Sequence, residues 1–133
     1  MKVRDVLSII QKDGWFLAAT RGSHRQFKHL IKPGRVTVPG KPSDDLARLP
    51  VSSRKLGSRN EKTVRYAVVI EKAQDNFSAY FPDLPGCVAT GATIGEIELQ
   101  IREAIEFHLD GMRKDGTPIP MPASRVEYVD IAA

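Results

Sequence analysis

Residues 13–39 read DGWFLAATRGSHRQFKHLIKPGRVTVP, and the reading of this stretch decides the fold of the first half of the chain. Three runs stand out: WFLAAT at 15–20, HRQFKHLI at 24–31 and RVTVP at 35–39. They are rich in β-branched and aromatic residues and bounded by turn residues, Arg21-Gly22-Ser23 and Lys32-Pro33-Gly34. Three consecutive strands are expected. Upstream, VRDVLSIIQK at 3–12 places Val3, Val6, Leu7 and Ile10 on one helical face. Asp13-Gly14 stops that helix, with Gly14 free to take a left-handed cap. A sheet of three strands has an apolar face that one short helix barely covers, so a second helix should follow. SDDLARL at 43–49 could begin it with Ser43 as cap, but Pro50 interrupts it. The polar, basic residues 50–63 read as a linker or a weakly formed element.

A second unit opens near Val64. RYAVVIE at 65–71 reads as a strand, KAQDN at 72–76 as a turn and FSAYF at 77–81 as the returning strand. Asp83-Leu84-Pro85-Gly86 reads as a tight loop and CVAT at 87–90 as a third strand. A helix over 94–113, led by Thr93 or Gly95, carries Ile94, Ile97, Ile101, Ala104, Ile105, Leu109 and Met112 at helical spacing. Asp115-Gly116 ends it. TPIPMPA at 117–123 is too proline-rich for a regular element, and RVEYVDI at 125–131 reads as a last strand. The chain therefore divides as 1–49, 50–63 and 64–133. Its expected class is α+β, α-β-β-β followed by β-β-β-α-β.

Charge separates the halves. Residues 1–62 hold 14 Lys/Arg and 5 Asp/Glu, whereas 63–133 hold 6 and 11. A basic half suits a polyanion such as nucleic acid. An acidic half of similar size suits a partner that covers a basic surface. No apolar run reaches the length of a membrane span, and the apolar stretch at the N-terminus is too short for a signal peptide. One cysteine, Cys87, permits no intrachain disulfide. A reduced, cytoplasmic setting is expected.

The pieces DGW at 13–15, GSHRQFKH at 22–29 and GRVTVP at 34–39 resemble the HicA toxin family. FPDLPGCVATG at 81–91, EAIEFHLDGM at 103–112 and DGTPIP at 115–120 resemble the HicB antitoxin family. The resemblance implies a double-stranded-RNA-binding-like fold for the first half and a partial RNase-H-like fold for the second. It implies a ribonuclease acting on messenger RNA, with the histidine of the GSH motif, His24, as catalytic residue. It implies too that the HicB-like half binds the HicA-like half over its active face. HicA segments usually end in a basic, apolar-striped helix. DDLARLPVSSRKLGSRNE lacks that stripe, so the helix is expected to be lost or shortened. The last strand ends close to Ala133, leaving no room for the DNA-binding domain many HicB proteins carry, so direct DNA binding is not expected.

An imidazole with an ordinary pKa near neutrality suits proton transfer, and cleavage also needs cations to hold phosphate. Arg21, Arg25, Lys28, Lys32 and Arg35 are the candidates for RNA binding. Strand alternation puts His24, Gln26 and Lys28 on one face and Arg25 and Phe27 on the other. His29 and Trp15 read as structural. Arg35, Lys41, Arg48, Arg54, Lys55 and Arg59 hold a polyanion or form a soluble linker. In the second half Asp75, Asp83, Glu96, Glu98 and Glu103 show no spacing that would converge on a metal, so neither a metal nor another cofactor is expected. Glu96, Glu103 and Glu106 read as outer-face residues, His108 as a surface or partner contact, and Cys87 as buried and unreactive.

Two accounts of function follow. In the first, a histidine-dependent, metal-independent ribonuclease is held in check by its own second half. The contact forms within one chain, or by exchange of halves in a homo-oligomer if residues 50–63 are too short to bridge in cis. In the second, the chain is a non-enzymatic antitoxin or regulator whose first half serves only binding or dimerisation.

Overall fold

The computed structural model describes residues 1–47 and 64–132. Two helices and six strands follow in order: α1 (Val3–Lys12), β1 (Phe16–Arg21), β2 (His24–Lys28), β3 (Arg35–Pro39), β4 (Val69–Lys72), β5 (Phe77–Phe81), β6 (Leu84–Gly91) and α2 (Ile94–Asp115). The class is α+β. The strands form one mixed sheet in the order β1-β2-β3-β6-β5-β4. Each half contributes an antiparallel three-stranded meander, and the two meet where β3 runs parallel to β6 at Thr37 and Cys87.

Alternation along the strands sorts side chains to two faces. On one face α1 sets Val3, Val6 and Ile10 against Trp15, Phe27, Val36, Val38 and Leu46. Val88 of β6 belongs to the same cluster, so the core under α1 draws on both halves. On the other face α2 sets Ile97, Ile101, Ala104 and Met112 against Ala79, Phe81, Leu84, Cys87 and Ala89. Full burial of each large apolar side chain contributes about 1.5–3 kcal/mol, which holds both helices to the sheet.

The helix ends follow local chemistry. Asp5 accepts from the backbone N–H of Lys2 at 3.1 Å and opens α1; Asp13 closes it, and Gly14 follows with φ of 104°. Thr93 Oγ1 accepts from Glu96 N at 3.1 Å while Glu96 Oε1 accepts from Ala92 N at 2.7 Å, so both side chains cap the start of α2. No helix among the described residues is long and apolar enough to cross a membrane.

Several expectations are corrected. SDDLARL does not begin a helix within the described residues. Residues 42–43 turn, and Asp45 forms a bridge to Lys2 while its backbone N–H donates to Asn76 Oδ1 at 3.0 Å. That segment is used as a tie between the halves. Arg48 to Thr63, with the rest of the expected linker, lie outside the described residues. The expected strand 24–31 stops at Lys28, because the His29 ring folds back to accept the N–H groups of Ile31 and Lys32, each at 3.0 Å. The first strand of the second half begins at Val69, later than expected. The third begins at Leu84, because only Pro82–Asp83 are needed for the turn. RVEYVDI forms no strand: residues 117–132 contain no regular element, and Tyr128, Val129 and Ile131 are exposed. Asp83 instead tethers this tail, accepting from Ala123 N at 2.9 Å, Ser124 N at 2.6 Å and Ser124 Oγ at 2.9 Å.

Candidate functional site: the seam between α2 and strands β1 to β3

Because β2 alternates, His24, Gln26 and Lys28 point to the face covered by α2, while Phe27 enters the core under α1 and Arg25 lies on the α1 side. Arg35 and Thr37 of β3 join the α2 face, and Arg21 reaches it from the end of β1. The rear of α2 closes over this polar surface.

Asp115, the last residue of α2, accepts from Arg35 Nε at 2.8 Å, from Arg35 NH2 at 2.9 Å and from Lys28 Nζ at 3.0 Å. The Arg35 guanidinium, followed by Lys28, holds the Asp115 carboxyl well down, to about 2. The same carboxylate raises the pKa of Arg35. Arg35 NH1 donates to Gln26 Oε1 at 2.9 Å, and Gln26 Nε2 donates to the Phe107 carbonyl at 2.8 Å. This network ties β2, β3 and α2: the Gln26 bonds to Arg35 and Phe107 are buried, and the Arg35–Asp115 pair is part-buried and bidentate, a strong charge-assisted geometry. At the rim, Arg21 donates to Asp110 at 3.0 Å and lies 4.9 Å from the centre of the Phe107 ring, and Ser23 Oγ donates to Gln100 at 3.2 Å.

His24 sits inside the seam with 3% of its surface exposed. Its Nε2 has no hydrogen-bond partner among the described residues. Burial lowers its pKa, and the charge of Glu103 on α2 opposes that shift. A neutral, base-competent imidazole is thus kept out of contact with solvent.

Deeper along the seam, Thr37 Oγ1 and His108 Nδ1 share a hydrogen bond of 2.6 Å. His108 is fully buried, which corrects the surface alternative of its reading, and it contacts the other half of the chain through Thr37. Burial and the nearby Arg35 charge push its pKa down to about 4. The helix comes this close because residue 111 is glycine: a Cβ there would stand 2.6 Å from Gln26 Oε1 and 2.7 Å from Arg35 Cδ. Gly86 plays the matching part at the β3–β6 junction. A Cβ at that position would lie 2.5 Å from the Arg35 carbonyl oxygen, and its φ of 90° suits glycine.

Of the six residues singled out from sequence, the structure brings His24, Arg21, Lys28 and Arg35 together beneath α2. Lys32 instead pairs with Asp13 at the end of α1, and Arg25 lies across the sheet. His29 is structural: its Nε2 bonds the Asp13 carbonyl at 2.6 Å and its ring meets Trp15 edge to face. Trp15 and Cys87 are buried, and burial raises the Cys87 thiol pKa. Glu103 stands on the edge facing His24. Sequence reasoning placed Gln26 on the face of His24 without giving it a role, and passed over Thr37 and the α2 residues Phe107, Asp110, Gly111 and Asp115. One signal was present, since Glu103 and Asp110 stand two helical turns apart on a common stripe.

Comparison with known proteins gives a match for each half. Residues 3–53 match the HicA toxin of bacterial toxin-antitoxin systems, and residues 66–132 match the HicB-like antitoxin of the same systems. A 14.9 kDa uncharacterised protein from the rep-hol intergenic region of Haemophilus phage HP1 is 37% identical over 65 residues, 49% of this chain and 49% of that protein. The chain thus spans about half the length of the phage relative. A UPF0150 protein of Thermoplasma acidophilum is 34% identical over 58 residues, 43% of this chain and 84% of that protein. A UPF0150 protein of Synechocystis is 36% identical over 56 residues, 41% of this chain and 71% of that protein. No solved structure matches.

Proposed function

This chain belongs to the HicB-like antitoxin family and carries a HicA toxin segment fused ahead of that domain, and on that premise we propose that it is a messenger-RNA endoribonuclease neutralised in cis by its own antitoxin domain. The toxin segment is residues 1–49 and the antitoxin domain 64–133, with a double-stranded-RNA-binding-like and a partial RNase-H-like fold respectively, acting in the cytoplasm. The observation that carries this reading is the position of α2. It buries His24 and sets Asp110 and Asp115 on Arg21, Lys28 and Arg35.

With α2 withdrawn, that set of residues can act on a phosphodiester without a metal. His24 accepts the proton of a ribose 2′-hydroxyl, whose oxygen bonds to the adjacent phosphorus to close a 2′,3′-cyclic phosphate while the bond from phosphorus to the 5′-oxygen breaks and that oxygen takes up a proton from the imidazolium or from water. Arg21, Lys28 and Arg35 then hold the phosphate and the negative charge that grows on it. With α2 in place, the helix fills the space that the RNA backbone would take, and its carboxylates occupy the cations that would hold phosphate. Fusion makes the block intramolecular, at an effective concentration on the order of millimolar.

The test is the full chain carrying Asp110→Lys and Asp115→Lys, with and without His24→Ala, assayed on a labelled RNA. Withdrawal of α2 is read from the NMR titration of His24, which returns toward an ordinary histidine value when the seam opens. The parent chain is expected to be silent, the opened variant to cut, and the histidine variant to be silent again. An opened, folded variant that leaves RNA intact removes the enzyme reading. The second reading, a non-enzymatic regulator, then stands. It is favoured by the continuous sheet, in which Val88 completes the core under α1 and makes the first half a structural extension of the second.

A further inference from the structure

The sheet ends in β1 on one side and β4 on the other, each paired with one neighbouring strand among the described residues. A terminal strand presents backbone donors and acceptors that a further strand can complete. The tail of the chain leaves the fold beside the β4 edge. Asp83, which anchors the tail at Ala123 and Ser124, follows the Phe81 end of β5, and the first residue of β4, Val69, pairs with Tyr80. Residues 65–67 and 124–127 line one open cleft of about 520 Å³ at this place.

Beyond the anchor, RVEYVDI at 125–131 has the alternation of a strand and no ladder among the described residues. Tyr128, Val129 and Ile131 are 93%, 80% and 82% exposed. Single exposed apolar residues are ordinary, but a contiguous run of them marks an interaction surface. Arg125 Nε donates to Glu127 Oε2 at 2.8 Å. That contact spans two residues, the spacing at which side chains of an extended chain share a face. The tail thus has the form of a strand, and the fold has a strand edge next to where it departs.

We propose that residues 125–131 of one copy add as a strand to the β4 edge of a second copy, and reciprocally, so that two chains form a two-fold dimer by exchanging tails. Direction favours a second copy as the occupant. The tail starts at the Val69 end of β4, so along its own β4 it would run parallel, the less stable pairing. A two-fold axis reverses the partner's strand. The tail then meets that strand antiparallel, starting at its Glu71–Lys72 end. Side-chain complementarity agrees. The antiparallel register that sets Arg125 opposite Glu71 also sets Val126 opposite Ile70 and Tyr128 opposite Val68. Opposite charges face each other on one side of the ladder and apolar groups on the other. Val68 and Ile70 pack against the core under α2, so Val126 and Tyr128 extend that core. The inference rests on sheet topology and the tail, and is independent of the nuclease reading.

Sedimentation velocity on the full chain over a range of concentrations tests it, beside Tyr128→Lys/Val129→Pro, Arg125→Glu, Glu71→Arg and the combination of the last two. Tyr128 and Val129 are exposed, so the tail variant guards against a folding defect. The parent chain is expected to dimerise. The tail variant, which loses an apolar pair and a ladder donor, is expected to associate at least about tenfold more weakly. Each single charge reversal is expected to weaken the dimer, and their combination to restore it. A second measurement mixes a chain carrying Val68→Cys with a chain carrying Tyr128→Cys under mild oxidation. A disulfide joining the two different chains is expected. A parent chain that stays monomeric overturns the proposal. So does a dimer of equal strength in the parent and the tail variant, which assigns association to another surface. A disulfide that closes within a single chain carrying both cysteine substitutions, with none between the mixed chains, assigns the tail to its own β4 edge and overturns it too.

Discussion

Thr37 and His108, 71 residues apart in sequence, are joined by a 2.6 Å hydrogen bond at the buried centre of the seam between β3 and α2. The imidazole can keep that place only while neutral, because Arg35 lies close and water is excluded.

Acid should therefore loosen the seam. The His108 pKa is lowered in the folded state, from 6.5 to about 4. Its stabilising contribution is complete above the unfolded value and is lost as pH falls through the window from 6.5 to about 4. His24 shifts in the same direction and adds to the effect. The loss expected by pH 4 is on the order of 3 kcal/mol. Urea melts at intervals between neutral pH and pH 4 check it, and His108→Gln should flatten the dependence. A dependence unchanged by that substitution would place the acid sensitivity elsewhere.

The two acidic contacts of α2 should differ in weight. Asp115→Ala leaves Arg35, 8% exposed, without its carboxylate, at an expected cost of about 3 kcal/mol. Asp110→Ala breaks an exposed pair with Arg21 and should cost under about 1 kcal/mol. Chemical denaturation of the two variants settles the order. The Asp115 contribution should also vanish only in strong acid, because its folded-state pKa is about 2 against the ordinary 3.8.

Gly111→Ala tests the closeness of the helix. In an isolated helix alanine would add about 1 kcal/mol of stability. Here its Cβ meets Gln26 and Arg35, so the variant should lose about 1–3 kcal/mol as an overpacked seam. If the proposed neutralisation holds, it should also release some RNA cleavage. Thermal melts and the cleavage assay read the two effects separately, and a stabilised variant would refute the packing account.

Asp83→Ala should free the tail. Three donors from Ala123 and Ser124 lose their acceptor, with an expected cost of about 1–3 kcal/mol. Limited proteolysis should then cut near residues 121–125 sooner than in the parent chain, while the seam stays protected. Identical digestion patterns would show that Asp83 is not the anchor.

The sequence by itself determined what is local. The apolar spacing of Val3, Val6 and Ile10, the stop at Asp13-Gly14 and the caps of α2 at Thr93 and Gly116 lie within a few turns of the residues they govern. Period-two alternation likewise separated His24 and Lys28 from Arg25 before any contact was known. Strand pairing is different, since a ladder needs a partner that local pattern cannot name. RVEYVDI has the pattern of a strand and no ladder, whereas β3 and β6 pair across some fifty residues because Gly86 lets the backbones approach. Tertiary structure alone decided that α2 faces β2 and β3, with His108 buried and Asp115 on Arg35. The reason is steric and electrostatic together: only a helix with glycine at 111 can come near enough to satisfy the desolvated guanidinium and amide beneath it.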